Sequence, residues 1–377
     1  MPERDQGQAA FRRWWRRWAR WTVVGLAALA VGSPLLLACS AGYVLRAGYE
    51  EARVLWRREP IAQVLARDDV AGDVRRKLEA VLAARAFSVE LGLEPRGSFA
   101  SLSYIDGDDN IFVVAAAPRT ALVPYTWWFP VVGRVPYKGF FERRGAEAEA
   151  ERLGSLGYDT HVRGAAAFST LGWFDDPLFR HLLRQDEGFL VNLVLHEVLH
   201  NSFYLRGAAA PTFNESLASF AGHRGAVAFF AARGEQELRE RAEAAWDDER
   251  RFADFVQALG AQLRSAYASS TGETTKLVER ERIFAAARVE LQGIHFTERR
   301  YTRLLDGPLN NAVVLQHLVY TTGFDLFEEV YRRHGDLRQA LAFIARAARG
   351  HGDDPFKALR RALEDLTPNI ACAPWDS

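Results

Sequence analysis

The chain reads as an α+β fold, mostly helical, in which a small sheet from the N-terminal half packs on one apolar helix and a helical region follows. Three observations lead there. Residues 99–173 alternate β-branched and aromatic positions with turn clusters. Most of the remainder places apolar residues at helical spacing. The segment 187–206 is apolar nearly all round, as a buried helix is. The 377 residues, 49% hydrophobic and 25% charged, suffice for one large domain or two ordinary ones and exclude a disordered chain. A formal net charge of zero gives no bulk attraction to nucleic acid, and no nucleic-acid partner is expected.

The elements follow in order. Residues 40–93 read as helical, with Val54, Leu55, Ile61, Val64 and Leu65 and then Leu78, Val81 and Leu82 at helix spacing. Pro95 and Gly97 interrupt that pattern. Strands are expected over 100–105, 110–117, 158–162 and 166–171, with the aromatic stretch 124–141 as strand core and a short polar helix over 142–155. Helices are expected over 187–206 and 213–233. An exposed, charged helical hairpin should cover 235–300, its charge a solvated face, and two or three further helices lie between 308 and 366.

The N-terminus has the order of an export signal. Arg12, Arg13, Arg16, Arg17 and Arg20 interleave with Trp14, Trp15 and Trp18, and residues 21–45 carry no charge. A basic flank before an apolar run directs a chain across a membrane and keeps the arginines on the cytoplasmic side. Leu36-Leu37-Ala38-Cys39 has the form of a bacterial lipobox, which predicts lipidation of Cys39; the competing expectation is an uncleaved membrane anchor. Both tether the chain to the membrane with its bulk outside the cytoplasm, in the cell envelope. The two cysteines, Cys39 and Cys372, exclude a disulfide framework, and neither sits in a C-x-x-C pair that would bind metal.

The strongest local signal is His196-Glu197-Val198-Leu199-His200. Histidines four apart on a helix project about 40° from each other, so both imidazoles reach one ion. Zinc accepts imidazole nitrogen, and a glutamate after the first histidine can take a proton from zinc-bound water. His196 and His200 are therefore candidate ligands and Glu197 the candidate base. Polar residues in the middle of so apolar a helix need partners, which a metal supplies. The third ligand is expected at Glu215, with fourteen residues between it and His200, within Phe213-Asn214-Glu215-Ser216-Leu217-Ala218. The competing reading makes Thr212-Phe213-Asn214-Glu215 a capping box, and His223, Asp175 and Asp176 are the other ligand candidates. Three protein ligands leave the fourth position open, as at catalytic zinc sites. Ser169-Thr170-Leu171-Gly172-Trp173-Phe174 is a candidate edge strand for substrate backbone, with Gly172 permitting close approach. Tyr320 is the first candidate to stabilise a developing oxyanion, and His317, on the same expected helix, is the second.

With these residues the chain resembles the bacterial family of predicted aminopeptidases, zinc metallopeptidases often carried as lipoproteins. The resemblance rests on Cys39-Ser40-Ala41-Gly42-Tyr43, the stretch from Trp127 to Phe141, Ser169 to Pro177, the H-E-x-x-H, Phe213 to Ala218, and Asn310-Asn311-Ala312. Leu199 stands where the family usually has a small residue, and Asn201 where it usually has Gln. The resemblance implies His196, His200 and Glu215 as ligands, Glu197 as catalyst, a zincin-like fold of the gluzincin kind and a peptide substrate. The expected organisation is 1–38 as signal or anchor, 39–98 as an N-terminal helical segment, 99–234 as a zincin-like catalytic core, and 235–377 as a helical C-terminal region. The expected activity is that of a membrane-tethered zinc peptidase with one zinc per chain. The rivals are a non-peptidase zinc hydrolase and a non-catalytic zinc-binding envelope lipoprotein.

Overall fold

In the computed structural model, residues 57–104, 112–129, 133–140, 142–164, 175–269, 272–297 and 301–366 are described. The N-terminal segment expected to be a signal or anchor, Cys39, Cys372 and the candidate edge strand at 169–174 lie outside them. The chain divides into two units, one of Val54–Trp127 with Val135–Ser377 and one of Met1–Arg53 with Trp128–Arg134. Nearly all described residues belong to the first.

That unit is α+β and mostly helical. Its strands form two small sheets. In one, β1 (Arg58–Pro60) pairs antiparallel with β2 (Ser101–Ser103), which runs parallel to β8 (Leu178–Phe179). In the other, β3 (Phe112–Pro118) lies between β6 (Tyr137–Phe140) and β7 (Tyr158–Gly164), antiparallel to both. A two-stranded ribbon, β4 (Trp127–Phe129) with β5 (Gly133–Val135), falls largely in the other unit. Residues 58–60 were expected to be helical and are a strand instead. Arg58 to Pro60 find ladder partners in Ser103 to Ser101, a pairing across more than forty residues that no local period reveals.

The helices explain themselves by their apolar faces. α1 (Ile61–Leu65) and α2 (Gly72–Glu90) bury Ile61, Val64, Leu78, Val81 and Ala84. α3 (Arg143–Ser155) lays Ala146, Ala150 and Leu153 on the β6–β3–β7 sheet. α4 (Glu187–Ser202) passes between α2 and α5 (Ala210–Ala232), and its contact with α5 is the most extensive among the described elements. Gly222 and Gly225 make that contact possible. A Cβ at Gly222 would lie 2.8 Å from the Asn192 carbonyl oxygen, so the two helices approach there backbone to backbone, and one at Gly225 would lie 2.6 Å from a Leu195 methyl, which fills the space a side chain would need.

α6 (Gln236–Ser269) and α7 (Glu273–Gly293) form the expected hairpin, but it is not merely exposed. α6 buries Phe252, Phe255, Val256, Leu259 and Leu263, and α7 buries Ile283, Phe284 and Leu291, in a second core shared with α8 (Asn311–Thr321). Nor is all of the charge solvated: Arg280 is 3% exposed and pairs with Asp159 on β7 at 2.9 Å. Four helices, not two or three, lie between residues 308 and 366: α8, α9 (Phe324–His334), α10 (Leu337–Ala348) and α11 (Pro355–Glu364). α9 to α11 join α2, α4 and α5 in the first core. The β6–β3–β7 sheet rests mainly on α3 and α8, not on α4 as expected.

Candidate metal centre

The H-E-x-x-H lies on α4. Asp186 caps the helix by accepting from the Phe189 amide at 2.8 Å, and Leu190, Val191, Val194, Leu195 and Val198 bury the rest of its length. The helix stops at Ser202, four residues before the expected end, because Phe203 is extended. The amide of Asn214 explains the break. It accepts from Leu205 N and donates to Leu205 O, both at 3.0 Å, which folds the connection back and starts α5 at Ala210. Asn201, next to His200, donates to Ser98 Oγ at 3.1 Å and ties the end of α4 to the loop before β2.

This folding brings Glu215 across to the histidines. Its Oε2 is 3.5 Å from His196 Nε2 and 3.7 Å from His200 Nε2. One ligand atom from each of the three lies within 4.8 Å of the others, a group that can hold a metal ion. Four donors about 2.0–2.1 Å from one tetrahedral ion stand roughly 3.3 Å apart, so the separations fit. The electrostatics fit as well. Burial disfavours the imidazolium of His200, yet Glu215 and then Glu197 raise its pKa to about 9. Burial likewise opposes ionisation of Glu215, but the two imidazoles hold its carboxyl well below the usual range. Two carboxylates thus create a field that draws positive charge to the nitrogens, and a divalent cation meets the same field.

The competing third ligands are placed elsewhere. Glu215 is no capping-box residue: α5 is capped at Ala209 without any side-chain bond, and Glu215 falls in its second turn. His223, two turns further on, faces Glu249 at 3.8 Å and stacks near Trp246. Asp175 accepts from Gly97 N at 2.9 Å, and Asp176 N donates to Ser98 Oγ at 3.3 Å; both serve the turn before β8.

Tyr320 reaches the same place from α8. Its ring stacks on His196, with centroids 6.5 Å apart and planes at 27°. A hydroxyl joins its helix to the ligand helix: Ser216, beside Glu215, donates to Val319 O and accepts from Thr322 N, each at 3.0 Å. Asn310 and Asn311 fix the other end of α8. Asn310 caps it through Val313 N and donates to Thr160 O, both at 3.0 Å, while buried Asn311 donates to Pro118 O and accepts from Tyr267. The Asn310-Asn311 string is therefore a latch between α8 and the sheet.

His317 does not reach the metal group. It packs edge-on against Phe252 and faces His161 of β7. Burial, with Arg163 beside His161, lowers both histidines to about 4. Both are neutral in the folded protein at pH 7, whereas in the unfolded chain they bind protons near the usual value of about 6.5. Protons then favour the unfolded state, so stability is intact above about pH 6.5 and falls as pH drops toward 4, by up to about 3 kcal/mol per histidine. Urea unfolding of the metal-free protein between pH 7 and pH 4.5 should show that loss, and His317→Gln should roughly halve it.

Sequence reasoning missed three side chains here. Arg163, on β7, donates to the Tyr320 hydroxyl at 3.1 Å. Tyr137, assigned to strand core, is 47% exposed on β6, and its phenol lies within the influence of Glu215, Tyr204 and Glu197. Tyr204 follows the H-E-x-x-H helix and is also about half exposed. Exposed aromatics beside a buried polar group are the signal, and it needs the fold to be seen.

Two histidines and a glutamate from adjacent helices, with a second glutamate and a tyrosine beside them, define the class of a candidate metal-binding enzyme. The profile of the family described as "putative aminopeptidase" matches residues 42–358, and the chain belongs to that family. No curated protein and no solved structure matches it.

Proposed function

We propose that the chain is a zinc-dependent metallopeptidase, exported and tethered to the membrane by its N-terminal segment. The observation that carries this is the convergence of His196, His200 and Glu215 within 4.8 Å, with Glu197 on the same helix. The family assignment supports a peptidase. His196, His200 and Glu215 would hold the ion, one per chain. When bound, zinc polarises a carbonyl and acidifies water. Glu197, only partly buried and one residue from His196, takes the proton of the attacking water and delivers it to the leaving amine. Tyr320 donates its hydroxyl hydrogen to the oxygen on which charge develops. The basic, tryptophan-rich flank and Cys39 supply the tether. Among the described residues no helix is long and apolar enough to cross a membrane.

The test is metal content and peptide hydrolysis on the full chain in detergent. Wild-type protein should carry about one zinc, hydrolyse members of a peptide library, lose activity to a chelator and regain it with zinc. Bound zinc without turnover of peptides would favour a non-peptidase or non-catalytic envelope lipoprotein.

A further inference from the structure

The bond between Arg163 and Tyr320 has a direction. Arg163 Nη2 lies 3.1 Å from Tyr320 Oη. A guanidinium carries donors and no acceptor, so the phenolic oxygen must accept. The hydrogen of Tyr320 therefore points away from Arg163. The guanidinium carbon sits 5.7 Å from the centre of the tyrosine ring, and His196 stacks on that ring at 6.5 Å. The other groups that act electrostatically on Tyr320 are Glu215, Tyr137 and Glu197, all belonging to the metal centre or its rim.

Arg163 is held firmly enough to impose this direction. Its strand pairs with β3 through Arg163↔Val113 and His161↔Ala115. Residues 161 and 163 fall on one face of β7, and 317 and 320 fall one turn apart on α8, so Arg163 bonds Tyr320 and, as a neighbouring rung, His161 lies within electrostatic reach of His317. The strand and the helix are clamped below those rungs. Asp159 accepts from Asn311 N at 3.0 Å and pairs with buried Arg280, and Asn310 holds Thr160 O. Arg163 Nε is buried without a hydrogen-bond partner, so part of the guanidinium is desolvated to keep Nη2 in place.

We propose that Arg163 is a positioning residue for peptide hydrolysis: by donating to the phenolic oxygen it aims and polarises the Tyr320 O–H as the donor to the developing oxyanion. A donor that itself accepts from a cation gives its hydrogen more strongly. The inference rests on the metallopeptidase reading and adds to it a residue that neither the motif nor the family assignment names.

The test uses zinc-loaded full-length protein with Arg163→Met, Arg163→Lys, Tyr320→Phe and the Arg163→Met/Tyr320→Phe double variant, each checked for zinc content and thermal midpoint. Arg163→Met should lower kcat by about 10–100-fold, within what loss of one oxyanion donor costs, and leave KM within about threefold. Arg163→Lys should recover part of the loss. In the Tyr320→Phe background, Arg163→Met should change kcat by less than about twofold, because the hydroxyl it acts through is gone. A second readout is calorimetric binding of a phosphinic peptide, whose tetrahedral anion imitates the reacting centre. Arg163→Met should weaken it by about the factor lost in kcat.

A full additional loss in the Tyr320→Phe background overturns the proposal. So does a rise in KM alone, which would make Arg163 an anchor for substrate, and so does an unchanged kcat with unchanged phosphinic-peptide affinity. Zinc-loaded wild type that turns over no peptide ends the peptidase reading itself. Turnover that Arg163→Met leaves intact ends only the role given to Arg163.

Discussion

Glu215→Ala should strip the centre of its metal while the protein stays folded. The carboxylate sits 3.5 Å and 3.7 Å from the two imidazole nitrogens and is the only side chain from α5 in the group. Removing it leaves two neutral nitrogen donors and no negative charge in the ligand set. Loss of even an outer-shell partner costs about 10–100-fold in metal affinity, so loss of a ligand should exceed about 100-fold. The side chain is 24% exposed and its backbone lies in the second turn of a long, well-packed helix, so the fold should survive. Equilibrium dialysis against buffered zinc measures the affinity, and circular dichroism checks the helices. A variant that keeps its zinc would show that the third donor lies elsewhere and would remove the gluzincin assignment.

Glu197→Gln should separate binding from catalysis. The amide has nearly the shape of the carboxylate but cannot take a proton at neutral pH. His196, His200 and Glu215 are untouched, so zinc content should equal that of wild type. Removal of a general base costs about 10²–10⁴-fold in rate, and the loss should appear in kcat with KM little changed. Zinc content and steady-state kinetics on the same preparation make the comparison. A variant with wild-type turnover would exclude Glu197 as the base.

The metal group was legible because its signals are local. Two histidines four apart need only a helical period to share one face, and the short run from His200 to Glu215 makes a glutamate on the next helix a natural third partner, although the fold-back that seats it is set by Asn214. The limits of α4 were not legible, because its end is set by Asn214 reaching back to Leu205 rather than by a residue within the helix. The stripe Phe252, Val256, Leu259 and Leu263 does recur at helix spacing, but the many i,i+3 and i,i+4 charge pairs around it, such as Arg239 with Glu243 and Arg282 with Glu279, gave the hairpin the look of a solvated element. The burial of Arg280 depends on Asp159, 121 residues away, and the position of Arg163 depends on strand pairing with β3. Such long-range partners leave no trace in a local period. Tyr320 could be proposed as a donor from its helix, whereas the residue that orients it could not.

The contact between α4 and α5 also bears on what happens when the metal leaves. The three donors come from two helices that meet closely at Gly222, against the Asn192 backbone, and at Gly225, against the Leu195 side chain, and whose connection is clamped by Asn214. The donor triangle is therefore assembled by helix packing, before any ion arrives. Small zinc modules fold only when the metal is captured, so their ion-free chains are disordered. Here the folding free energy comes from two apolar cores, and the ion finds its ligands already facing one another. Metal exchange is thereby uncoupled from folding: a chelator should empty the centre without unfolding the chain, and added ion should refill it, so that occupancy of the site and survival of the fold are set separately.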